Sequence, residues 1–284
     1  METILLVDSS ALIYSAFFRY GIYNYKQQPI AVIFGFIQRV IKLAEKYKTS
    51  DFIFCFDSKR NLRKKIYPEY KQQRTPKTDE DILLGKLRKK QETKLKFELM
   101  KIGFKNVFYK PGYEADDILT YLARKLRHRN VIMITNDKDM FQCLDYCDIL
   151  NPKDNKHYSR RKFVKEYNLT PNQWPLAKAI GGCDSDNIKG IKGVSDPKLP
   201  SSKAIKFVNG QLTKGVVYDR ITSEENKPII QRNLKLTKCP YLNKDFNLNI
   251  RQNKITRYSF MNFINRYNFY KLLAGGEWKN LIND

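Results

Sequence analysis

Three short apolar runs in this chain share one design. ILLV at 4–7 is followed by Asp8, FIFCF at 52–56 by Asp57, and VIMIT at 131–135 by Asn136 and Asp137. Continuous apolar runs of this length fit strands buried on both faces, as in a parallel sheet with helices either side. Between them, 31–47 and 114–129 carry apolar residues at helical spacing. This β-α-β alternation predicts an α/β fold, a mainly parallel central sheet flanked by helices, with right-handed crossovers. Further strands are expected at 106–110 and 146–150.

The pattern changes between Asp57 and Tyr113. Residues 59–74, KRNLRKKIYPEYKQQR, carry seven basic side chains and one acidic one. The polar, lysine-rich stretch 77–103 has the composition of a helix. Beyond 165 the strand logic stops. Two helices broken at Thr170-Pro171 are expected, then helices over 226–236 and 260–273. The organisation expected is an α/β domain over 1–165 and a helical region over 166–284, with no internal repeat.

Composition adds a partner class. Lys and Arg number 53 against 29 Asp and Glu, a net charge of +24. Such a field attracts polyanions, and nucleic acid leads among them. The five cysteines include no C-x-x-C pair and the chain has two histidines, so neither a disulfide framework nor a zinc site is expected. No secretory signal pattern opens the chain, and no apolar run approaches the ~20 residues that span a bilayer. A soluble, cytoplasmic protein is expected, in the host cytoplasm if viral.

In an open parallel sheet, ligands bind at the carboxyl ends of the strands, where Asp8, Asp57 and Asp137 all fall. GYEADD at 112–117 adds Glu114, Asp116 and Asp117 at a helix start, and Asp139 follows two residues after Asp137. Glu114 and Asp117 are i, i+3 neighbours, and like charges so close repel unless something positive lies between them. A hard divalent cation, Mg²⁺ or Mn²⁺, is the expected answer. Seven carboxylates on one edge suit two ions, as used for phosphodiester hydrolysis.

Residues 181–193, GGCDSDNIKGIKG, invite a calcium reading through Asp184 and Asp186. An EF-hand loop from Asp184 needs Gly at its sixth position and Glu at its twelfth. Those positions hold Lys189 and Ser195, so that reading fails.

Together, YPEYKQQR, GYEADDILTYLA, TNDKDMFQCL and SDNIKGIKGV resemble the 5′-nucleases: flap endonucleases and the 5′→3′ exonuclease domains of bacterial DNA polymerases, with stand-alone phage members nearest. The resemblance covers most of 3–207. It implies that Asp8, Asp57, Glu114, Asp116 and Asp117 surround a first metal and that Asp137, Asp139 and Asp186 surround a second. Lys71 and Arg74 match the pair that contacts the scissile phosphate, a role suited to cations beside developing charge. Arg63 is expected as a further phosphate contact. Residues 75–105 correspond to the helical arch or clamp that grips single-stranded 5′ ends, with Tyr67 and Tyr70 as stacking candidates. Residues 176–207 match the helix–three-turn–helix that holds duplex backbone, through Lys189, Gly190, Lys192, Gly193 and Lys203, with K⁺ as a further expected ion.

Two departures stand out. Cys183 takes a position where the family has Asp, with Asp184 one residue later as a substitute ligand. The family's short Gly-x-Lys turn is replaced by SDPKLPSSK, so the phosphate contact falls to Lys203 or Lys198. The implied function is Mg²⁺-dependent cleavage at 5′ ends, flaps or RNA primers on DNA, by a monomer working among replication proteins. The alternatives are a structure-specific DNA-binding protein with weak nuclease activity, or a PIN-type ribonuclease. The long basic 59–105 stretch argues against the second.

Overall fold

The computed structural model describes residues 2–21, 23–195 and 201–283. The first strand, β1 (Thr3–Asp8), runs directly into α1 (Ser9–Tyr20). Asp8 caps that helix, its Oδ1 accepting from the Ser10 and Ala11 amides at 3.1 and 3.3 Å. A small hairpin, β2 (Asn24–Tyr25) and β3 (Gln28–Pro29), leads into α2 (Ala31–Tyr47). Then come β4 (Phe52–Phe56), the 24-residue α3 (Asp79–Ile102), β5 (Val107–Tyr109), α4 (Ala115–Lys125), β6 (Asn130–Ile134), β7 (Asp148–Leu150) and β8 (His157–Tyr158).

Among the described residues, one sheet has the order β5-β4-β1-β6-β7-β8. Every pairing is parallel except β7–β8 at the edge. In register, Val7 lies opposite Phe54 and Ile134, so the carboxyl ends of β1, β4 and β6 share one edge. Alternate strand residues face opposite layers. Leu5, Val7 and Phe54 pack with α1 and α2, whereas Ile4, Leu6 and Met133 pack with α4. Burial on both sides explains the unbroken apolar runs.

After β8 the chain forms α5 (Arg160–Tyr167), α6 (Trp174–Gly181), the hairpin β9 (Gly182–Cys183) and β10 (Ile188–Lys189), α7 (Ser202–Val208), α8 (Val216–Thr222) and α9 (Lys227–Thr237). The final helix, α10 (Arg257–Tyr267), stops earlier than its apolar spacing predicts. Asn268 turns left-handed at φ 57°, and a separate 3-10 turn over 270–273 follows. Phe260, Phe263, Ile264, Trp278 and Leu281 join the layer that holds α2. No helix among the described residues is long and apolar enough to cross a membrane.

The predicted arch segment is a single helix, α3, capped by Thr78 and Asp81. Its second half is anchored by buried Leu95, Leu99 and Ile102, and its first turns are exposed. A cleft of about 360 Å³ separates those turns from α1, lined by Phe18, Arg74, Lys77, Leu84 and Arg88.

Candidate metal centre and nucleic-acid interface

The sheet edge gathers acids as the sequence suggests, but in two groups with different electrostatics. Asp8, Asp57, Asp116 and Asp137 form the first. Asp57 Oδ2 accepts from Ser10 Oγ at 2.5 Å and its Oδ1 from the Ala115 amide at 2.8 Å. Asp8 Oδ2 accepts from Thr135 Oγ1 at 2.9 Å, and Asp137 caps the turn after β6 by accepting from the Asp139 amide at 2.7 Å. Burial, with Asp57 and Asp137 close by, pushes Asp8 up to about 7. Burial and the charges of Asp137, Asp8 and Glu114 push Asp116 well above the usual carboxylate range. These acids offer oxygen donors alone, and the Lys71 charge that reaches Asp116 does not offset the push upward, so a hard divalent ion fits them.

Glu114 has its countercharge already. Its Oε2 accepts from Tyr70 Oη at 3.0 Å and lies 3.3 Å from Arg63 Nη1, and its Oε1 pairs with Lys71 Nζ. Burial opposes its ionisation, but Lys71 and Arg63 outweigh that and hold it down to about 2. Burial likewise works against the Lys71 ammonium, and Glu114 and Asp186 reverse the balance and raise it. Lys71 itself sits in the left-handed region, φ 55°.

Three expectations are corrected here. Arg63, 1% exposed, does not face a phosphate. It donates to both Asp117 oxygens at 2.8 and 2.7 Å and to the Leu236 carbonyl at 3.0 Å. Asp117, fully buried, also accepts from the amides of Glu114 and Tyr241 at 3.0 and 2.7 Å. All its capacity is spent, so it braces the site and offers no metal a lone pair. The positive group between Glu114 and Asp117 is therefore a guanidinium. Tyr67 and Tyr70 are both buried, 8% and 2% exposed, and neither offers a face for base stacking.

The second group is Asp139, Cys183 and Asp186, whose ligand atoms lie within 4.8 Å of one another. Asp184, the expected substitute ligand, is exposed instead, and its carbonyl accepts from Gln73 Nε2 at 2.6 Å. The hairpin turn over 184–186 points that side chain outward while Cys183 faces in. Arg74 Nη2 donates to Asp186 Oδ1 at 2.7 Å, and Tyr70 Oη to its Oδ2 at 3.3 Å. Lys178, buried on α6, forms an ion pair with Asp139. Sequence reasoning missed Lys178. Its signal is a lysine in the otherwise apolar PLAKAIGG stretch at 175–182, where a buried charge requires a partner.

The loop bearing Lys71 and Arg74 is laced to the 184–187 turn. The Lys71 amide donates to the Asp186 carbonyl at 2.9 Å, Arg74 Nε to the Ser185 carbonyl at 3.1 Å, and Asn187 Nδ2 to the Glu69 carbonyl at 2.8 Å. Asp137 of the first group, together with Lys178 and Arg74, which hold Asp139 and Asp186 of the second, lines an open depression of about 340 Å³ that also takes in Lys138 and Ser185.

Beyond it, Lys189, Lys192 and Lys203 are exposed. Lys203 Nζ donates to the Gly193 carbonyl at 2.9 Å. Gly193, at φ 78°, lies against Arg220, and a Cβ there would sit 2.2 Å from Nη1. Gly190 is required by packing, since a Cβ would meet the Gly181 backbone at 2.3 Å. Lys198 lies outside the described residues.

A family model, the 5′–3′ exonuclease N-terminal resolvase-like domain, matches residues 3–168. A 5′–3′ exonuclease of Aquifex aeolicus is 29% identical over 264 residues, covering 90% of this chain and 88% of its own. The thermostable DNA polymerase I of Thermus thermophilus is 32% identical over 199 residues, 68% of this chain, which spans 23% of that polymerase. Among solved structures, the bacteriophage T5 5′-exonuclease with divalent zinc ions bound has a TM-score of 0.67 at 23% identity, covering 83% of this chain and 89% of that one. The catalytic core of Rad2 in complex with DNA has a TM-score of 0.59 at 17% identity, covering 100% and 93%. These likenesses reproduce the mainly parallel α/β architecture, and with the profile match over more than half its length the chain belongs to the 5′–3′ exonuclease family.

Proposed function

We propose that this chain is a divalent-metal-dependent nuclease that cleaves phosphodiester bonds at 5′ single-stranded ends and flaps on DNA, and in RNA annealed to DNA. The observation that carries the reading is the group Asp8, Asp57, Asp116 and Asp137, four acids gathered at one sheet edge, with Asp8 and Asp116 pushed up by burial and by their acidic neighbours. Mg²⁺ or Mn²⁺ suits their oxygens, and such an ion supplies a more acidic bound water and neutralises phosphate charge. Asp139, Cys183 and Asp186 are the residues that would hold a second ion.

The chain's own cations complete the site. Lys71 and Arg74 now pair with Glu114 and Asp186, and Arg74 lines the depression where a phosphate would enter. Arg74 is half-exposed and able to meet two phosphate oxygens at once. The exposed lysines of β10 and α7 offer contacts to duplex backbone, which carry no base code. The cleft between α1 and α3, with Phe18, Arg74, Lys77 and Arg88 on its walls, has the mixed apolar and basic lining that suits a single strand. The 176–207 segment expected to take K⁺ includes residues 196–200, outside the described residues.

The test is cleavage of a 5′-labelled flap and of an RNA–DNA hybrid with Mg²⁺. Shortening of both, stopped by EDTA and abolished in Asp137→Asn with binding retained, is the expected result. Full cutting by Asp137→Asn, or cutting in EDTA, would overturn the assignment.

A further inference from the structure

Resting on the metal-dependent reading above, we propose that Cys183 makes the second acidic group a thiol-containing site selective for thiophilic divalent ions such as Zn²⁺ or Cd²⁺, so that the two cation positions differ in metal preference. The first group offers oxygen alone. The second offers Asp139 and Asp186 oxygens and the Cys183 sulfur, all within 4.8 Å of one another and all on residues at least nine-tenths buried. Asp139 Oδ1 is buried and has the Lys178 ammonium as its partner, and Asp186 Oδ1 is held by Arg74 at 2.7 Å, so an entering ion takes the place of these cations. The Cys183 sulfur has a hydrogen-bond contact with Ser185 Oγ at 3.2 Å, and a hydroxyl is easily exchanged for a metal.

Sulfur is a poor ligand for Mg²⁺ and a good one for borderline and soft ions, so exchanging one carboxylate oxygen for a thiol shifts preference away from Mg²⁺. On binding, the thiol proton leaves to solvent and Lys178 gives up its hold on Asp139. The Lys178 side chain borders the same open depression as Arg74 and Asp137, so the displaced ammonium stays where a phosphate would enter.

The experiment is a Cd²⁺ titration of the full chain, without nucleic acid, followed by the sulfur-to-cadmium charge-transfer absorption. A parallel Mn²⁺ titration is followed by electron paramagnetic resonance. The wild type should develop the sulfur band at one equivalent. Cys183→Ser should lose it and weaken Cd²⁺ by about a hundredfold, while its Mn²⁺ binding at the oxygen-only group stays unchanged. Lys178→Met, which keeps the packing volume, should strengthen Cd²⁺. No sulfur band in the wild type overturns the inference, as does a band that survives Cys183→Ser, since it would come from the other buried cysteines. Mn²⁺ binding without a sulfur band leaves the nuclease reading standing. No Mn²⁺ binding at all defeats both.

Discussion

Arg63 and Asp117 face each other with both guanidinium nitrogens on both carboxylate oxygens, at 2.8 and 2.7 Å, where solvent reaches neither. Removing one partner strands the other charge in the interior. Arg63→Met should therefore cost about 3–5 kcal/mol in urea unfolding. It should leave the salt dependence of DNA binding as it is. A phosphate-contacting arginine would behave in the opposite way, sparing stability and lowering the salt slope.

Asp8 makes the stability of the metal-free protein depend on pH. Burial and its acidic neighbours raise it from 3.8 to about 7, so the folded state binds this proton more tightly than the unfolded chain. Stability is then lost as pH rises from about 4 through about 7, and levels off above. Glu114 runs the other way: held down to about 2, it adds stability that is present above about pH 4.5 and lost as pH falls toward 2. In EDTA, raising pH from 5.5 to 8 should cost the wild type on the order of 2 kcal/mol more than Asp8→Asn. Millimolar Mg²⁺ should erase that difference. Equal pH slopes in the two proteins would show that Asp8 ionises without penalty.

The hairpin turn separates two aspartates that the sequence sets two residues apart. Asp186, buried and bonded to Arg74 and Tyr70, should lose about a hundredfold or more in cleavage rate as Asp186→Asn. Asp184→Asn should stay within about twofold of wild type, because that side chain is exposed and outside the group. A large loss in Asp184→Asn would mean that the turn rearranges when metal or substrate arrives.

Lys189 and Lys192 are exposed on β10 and the turn after it. If they hold duplex phosphates, Lys189→Ala and Lys192→Ala should each reduce the slope of log affinity against log salt by about 0.9. The reduction should be the same for unrelated duplex sequences. Unchanged slopes would move the duplex contact to another surface.

The residues that were legible from sequence are those whose position follows from local pattern. The apolar runs ending in Asp8, Asp57 and Asn136-Asp137 became β1, β4 and β6, and α2 spans 31–47 as its spacing predicts. Direction of side chains was not legible. Cys183 and Asp184 are adjacent, and only the hairpin geometry decides which turns inward. Arg63 lies in a run of basic residues that reads as a solvated face, yet its partner Asp117 lies 54 positions away. The helix α1 carries large exposed side chains such as Phe18, 74% exposed, which blur its apolar stripe. Lys178 follows the same logic, since nothing local pairs it with Asp139.

The packing of Phe260, Phe263 and Trp278 under the sheet has a consequence for synthesis. Asn253 Nδ2 donates to the Ser50 and Phe52 carbonyls at 3.1 Å, and the apolar faces of β1 and β4 share a layer with Leu281. A chain leaving the ribosome at ~5–20 residues per second therefore carries this layer, already packed by α1 and α2, incomplete for several seconds after the acids have emerged. The sheet whose edge holds the acids thus has its layer completed by residues 260–281, far along the chain from the acids themselves.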